Sequence, residues 1–189
     1  MIAGSRFELF AENGRISAML PLYRIAAGFL ITSLALRING FDLLVDVIGW
    51  VLVVFGLSRM EASVDPAFRR ARVSAIVTGV ISCAVPIGLT VNSVIGLLYT
   101  LSTQVTIWLI AEGIIARARN AGDASTASTF NVLRWILATV IAVGWLVSYA
   151  VTSPQGLGTI ALILAVVGFV ATIWFIIRLY RSARLPYLA

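Results

Sequence analysis

Histidine and lysine are both absent from the 189-residue chain, and there is a single cysteine, Cys83. Each absence removes a chemistry. Without lysine, retinal and pyridoxal phosphate have no Schiff-base anchor; without histidine, the histidine-dependent phosphatases, proteases and haem proteins have no base or ligand. A lone cysteine makes no intrachain disulfide and no thiol-pair redox centre, so Cys83 reads as a small residue packed within a helix. Charge is scarce as well. Ionisable residues make up 12% of the chain against 60% hydrophobic, and mean hydropathy is +1.02, whereas soluble domains are about 45–50% apolar. That balance describes an integral membrane protein, all-α. At about 20 residues per crossing the length allows six transmembrane helices with short links, so residues 1–189 are expected to form one membrane domain with no separate soluble part.

Apolar runs predict spans over about 16–36, 42–57, 73–90, 94–116, 133–151 and 159–177. Residues 1–15 are too polar to cross; Ser5 stands three residues before Glu8, the spacing of a capping box, and Phe7 and Phe10 suit an interfacial helix. They lack the charged, apolar and small-residue order of a cleavable signal peptide. Asp65 followed by Pro66 reads as an N-cap with proline at the first helical position, which starts the third helix ahead of its span. The stretch Arg117 to Asn131, rich in Ala, Ser and Thr, reads as a flexible loop, and Thr152 to Gly158 as a turn.

All fourteen basic residues are arginine. With six spans and a cytoplasmic N-terminus, twelve of them fall on the cytoplasmic side; only Arg24 lies within a span and only Arg37 outside. The positive-inside rule therefore places both termini in the cytoplasm. The net charge of +6 is explained by the anionic inner leaflet, and nucleic acid is not needed as a partner.

Two carboxylates stand out within an apolar run. In NGFDLLVDVIGWVLVVFGL, at helical spacing, Asp42, Asp46, Gly49, Val53 and Gly56 share one stripe, on which glycine lets a second helix approach closely. A carboxylate facing lipid costs roughly 2.5–3.5 kcal/mol near the bilayer centre, so both acids are expected to face protein or water. Two readings are open. In one, Asn39 and Asp42 cap the helix and the acids pair with Arg37. In the other, Asp42, Asp46, Arg37 and Asn39, with Asn92 and Gln155 from neighbouring outer turns, form an outward-facing site for a cation, a proton or a small solute. Deeper in the bundle, Arg24 and Glu112 lie at compatible depths for an ion pair, and Gln104 is polar near the middle of the fourth span. Aspartate-rich prenyltransferases and phosphatidyl-alcohol transferases hold divalent cations on carboxylates at similar spacing but need more acids than this one pair. No enzyme activity, metal or cofactor is therefore expected.

The run INGFDLLVDVIGWVLVVFGL, followed by AFRRAR, resembles a segment of small uncharacterised bacterial multi-pass membrane proteins in which a glycine, two acids and an aromatic-flanked Ile-Gly recur; Val45 stands where many have proline. The resemblance covers residues 38–72 and implies a multi-helix membrane protein of the bacterial inner membrane. In size and helix number the chain is also similar to the substrate-binding subunits of energy-coupling-factor transporters; Ile31 sits midway between Ala27 and Ala35, in the middle of the alanine series with which such subunits dock. The expected function is small-solute or ion binding and transport. The alternative is an accessory subunit of a larger membrane complex, with a membrane-protein partner or a second copy of itself.

Overall fold

The computed structural model describes residues 21–33, 42–61, 66–84, 93–150 and 154–188, with backbone alone at some helix ends. Among these residues the chain is all-α, with six helices and no strand. They are α1 (21–33), α2 (Asp42–Glu61), α3 (Pro66–Ala84), α4 (Ser93–Asn120), α5 (Ala124–Ala150) and α6 (Pro154–Ser182), followed by a 3₁₀ turn over Pro186–Leu188. The expected interfacial segment and the first residues of the first span lie outside the described residues. Three stretches, Val94–Asn120, Ala124–Val147 and Leu162–Ser182, are long and apolar enough to cross a membrane. α1 is short over its described length, and α3 carries Arg69, Arg70 and Arg72 within its first two turns, charges that a bilayer core rejects.

The helices close into a ring in chain order. α2 packs on α3, α3 on α4, α4 on α5 and α5 on α6, as short links between antiparallel helices require. α1 closes the ring between α2 and α6. Toward α2 the contact is backbone on backbone: a Cβ on Gly28 would lie 2.5 Å from the Gly49 oxygen, and one on Gly56 would lie 2.7 Å from the Pro21 oxygen. The helix that uses the glycine stripe is thus α1. Toward α6 the contact is aromatic, with Tyr23 and Tyr180 rings 4.6 Å apart and Phe29 and Phe175 rings 6.1 Å apart, both edge-to-face. Trp50 joins this series through Phe29, and Phe130 through Phe175. Each such pair contributes about 0.5–1.5 kcal/mol beyond its burial.

Between α3 and α4 the seam is polar. Ser74 and Thr106 hydroxyls are 2.8 Å apart, Thr78 and Thr106 hydroxyls 3.4 Å, and Thr78 also donates to the Ser74 carbonyl. Thr78 is buried at this seam, and Ser82, also buried, donates to the Gly79 carbonyl of its own helix.

The flexible loop expected over Arg117–Asn131 is instead helical on both sides of a tight turn, because α4 runs on to Asn120 and α5 starts at Ala124. Gly122, at φ +78°, ends α4 in a Schellman motif: its N–H donates to the Arg119 carbonyl and the Asp123 N–H to the Ala118 carbonyl. Asp123 then caps α5 by accepting from the Thr126 N–H at 3.0 Å and the Thr126 hydroxyl at 2.7 Å. Small polar residues that read as loop material are the first turns of a capped helix. Likewise α6 begins at Pro154, within the expected turn, and α3 begins at Pro66, as proline at the first helical position predicts.

The chain's C-terminal end folds back on the α4–α5 turn. The Tyr187 hydroxyl donates to Asp123 at 2.7 Å, and Leu188 is buried. Arg184 lies near the Tyr23 and Tyr180 hydroxyls. Nearby, Arg117 donates to the Met60 carbonyl at the end of α2 and stacks over the Phe68 ring at 4.7 Å. Gly113 makes room for that ring, since a Cβ there would lie 2.7 Å from Phe68 Cζ. These contacts gather the arginine-bearing ends of the helices at one end of the ring.

Candidate functional site

Inside the ring, in the half remote from the arginines, lies a cavity of about 280 Å³ lined by α1, α2, α4, α5 and α6. Its position follows from small and polar residues on inward faces. Gly168 and Thr172 make room on α6, Thr32 and Ser33 on α1, and Tyr99, Thr103 and Gln104 face it from α4. None of the lining residues carries a charge. Thr32 and Thr172 bond to their own helix, donating to the Phe29 and Gly168 carbonyls. Gln104 does not: both its amide oxygen and its amide nitrogen are buried without a partner. A buried amide left unpaired costs about 1–3 kcal/mol, so these groups are arranged to receive something. Gln104 can donate and accept at once, which suits a small solute bearing both kinds of group.

The wall of the cavity is fastened between α2 and α4. Trp50 Nε1 donates to the Tyr99 hydroxyl at 3.3 Å. Asp46, half-buried in the second turn of α2, lies near that hydroxyl.

The other residues expected at this site are distributed differently. Arg37 and Asn39 lie outside the described residues, and so do Asn92 and the side chain of Gln155. Asp42 opens α2 with its backbone, and its side chain likewise lies outside the described part. Arg24 is half-buried on α1 and Glu112 is exposed on α4. Among the described residues no ion pair joins them: Glu112 faces out of the ring, into a notch shared with Arg119 and Arg134. Matching depth along two helices leaves the direction around each axis unspecified. Nor do three His, Cys, Asp or Glu side chains come together among the described residues. The chemistry of the cavity is hydrogen bonding.

Sequence reasoning noticed Gln104 but left it out of the site, and it missed Trp50, Tyr99 and Thr103. The available signal was a Gln inside an apolar span, which is costly unless it meets a partner. Compared with known proteins, the chain matches no family model, and neither a curated protein nor a solved structure is similar to it. The functional reading therefore rests on the site alone.

Proposed function

We propose that the chain is a six-span membrane protein with both termini in the cytoplasm, and that it binds a small uncharged polar solute in the central cavity and passes it across the bilayer. The observation that carries this reading is the Gln104 amide, buried at both ends without a partner beside the cavity. At roughly 30 Å³ per water, the space takes about nine waters or a solute of similar bulk. The absence of charge in the lining favours a neutral solute over an ion.

Osmotic swelling of proteoliposomes tests this. With glycerol, urea or acetamide as the permeant, vesicles carrying the protein should swell faster than empty ones for at least one solute, and Gln104→Leu should remove the difference. Equal swelling with all three defeats the reading. Orientation is tested separately in a Cys83→Ser background. Cysteines at Asn92 and Gln155 should react with an impermeant thiol reagent in intact cells, and cysteines at Ala62 and Ser125 only after permeabilisation.

A second reading, an accessory subunit of a larger complex, is favoured by one observation. Between α2 and α3 runs an outward apolar groove of about 300 Å³, floored by Ala75 and Gly79 and flanked by Phe55 and Val80, the kind of small-residue surface on which another helix packs. A protein that causes no swelling but is cross-linked from exposed Cys83 to a second membrane protein would favour it.

A further inference from the structure

The notch on the outer side of α4 and α5 belongs to neither reading. It encloses about 470 Å³ and is lined by Trp108, Glu112, Arg119 and Arg134. Two cations and one anion face the same space, yet among the described residues none of the three is in an ion pair. Arg134 is the most constrained. Its guanidinium lies 4.5 Å over the Trp108 ring, and its Nε is buried without an acceptor. Charges of both signs that line one space without touching leave room for a ligand that carries both.

The level of the notch points to the membrane. At 1.5 Å per residue α4 and α5 are each about 40 Å long, some 10 Å more than the hydrocarbon core. Counted from the turn that joins them, Arg119 is about 2 Å in, Glu112 about 12 Å and Arg134 about 15 Å. Arg119 is therefore at headgroup level, and Glu112 and Arg134 start about two to three turns deeper, from where long side chains reach back toward the interface. Trp108 and Trp135 pack edge-to-face at 5.0 Å on the deeper side of the notch. Val105 and Trp135 are exposed beside it and offer an apolar flank to acyl chains.

We propose that this notch is a headgroup site for a phospholipid of the ethanolamine type, with Arg119 and Arg134 on the phosphate and Glu112 on the ammonium. The proposal needs the chain to lie in a membrane but does not depend on the central cavity. Basic pockets between helices on the cytoplasmic side commonly take phosphate headgroups; here Glu112 adds selectivity. A glycerol headgroup leaves that carboxylate without a cation. A choline headgroup brings a cation with no N–H to donate.

The test is native mass spectrometry of the full chain in detergent with an equimolar mixture of phosphatidylethanolamine, phosphatidylglycerol and phosphatidylcholine. The ethanolamine lipid should be retained about tenfold or more over the others, as one charge-assisted hydrogen bond implies. Glu112→Gln should bring it down to the level of phosphatidylglycerol, while Arg134→Gln should weaken all three. Because Arg134 also stacks on Trp108, exposed Arg119→Gln serves as the variant that leaves the helix contact intact. Equal retention of the three lipids by the parent, or unchanged retention in both arginine variants, overturns the proposal. So does stabilisation by soluble phosphoethanolamine or inorganic phosphate equal to that by the lipid, because the ligand would then not be a lipid.

Discussion

At the arginine-rich end of the ring Asp123 accepts hydrogen bonds from Thr126 and Tyr187, and Arg117 both donates to the Met60 carbonyl and covers Phe68. In the cavity toward the other end, the Gln104 side-chain amide neither accepts nor donates. Both regions are built from ordinary helix-to-helix packing, so the contrast is not one of fold quality. Where polar groups are matched within the protein they serve as fastenings; where they are buried and unmatched they mark a place for a ligand, because only a ligand or water can recover the cost of burying them. The polar seam of Ser74, Thr78 and Thr106 shows that this chain can match buried hydroxyls when the contact is structural.

Three experiments would break or sharpen the contrast. The largest effect is expected at the fastened end. Gly113→Val pushes a branched side chain into the Phe68 ring, which is itself held under Arg117. Overpacking of this kind costs about 1–3 kcal/mol or more, so thermal unfolding in detergent should show a clear loss, with Gly113→Ala intermediate. A Gly113→Val protein as stable as the parent would mean that the α3–α4 contact is loose.

In the cavity the sign should reverse. Gln104→Leu removes a buried unpartnered amide and keeps similar bulk, so the same unfolding measurement should show unchanged or higher stability, by up to about 1–2 kcal/mol. Solute passage should be lost at the same time. Destabilisation by Gln104→Leu would show that the amide has a structural partner, and the contrast between the two regions would fail.

The smallest effect concerns pH. Hydrogen bonds from the Thr126 N–H, then from the Tyr187 and Thr126 hydroxyls, hold the Asp123 carboxyl below the usual aspartate range. A carboxyl lowered in the folded state contributes stability in full above its unfolded value of about 3.9, and that contribution is lost as pH falls through the folded value. Between about pH 5 and pH 2 the C-terminal turn should therefore loosen first in hydrogen exchange at Leu188, whose N–H donates to the Leu185 carbonyl. In Asp123→Asn that acid dependence should vanish. Equal acid dependence in the two proteins would remove Asp123 from the fastening.

Composition and periodicity determined the class of this protein. With 60% hydrophobic residues, 12% charged and apolar runs of helical length, the chain can satisfy its backbone in an apolar surrounding only as helices, and the arginines mark one end of them. The stripe of Gly49, Val53 and Gly56 was legible as a packing face because helical spacing alone brings those residues together. Spacing does not say which helix arrives there; tertiary structure assigned α1, through Gly28. Capping chemistry located the start of α3 at Pro66, yet the same chemistry at Gly122 and Asp123 passed for a loop, since small polar residues suit either until the helices on both sides are seen to continue. The cavity was illegible for a deeper reason. Its residues come from five helices far apart in the chain, and what distinguishes Gln104 from a satisfied glutamine is the lack of a partner, a property of what surrounds a residue in space and not of its neighbours in sequence.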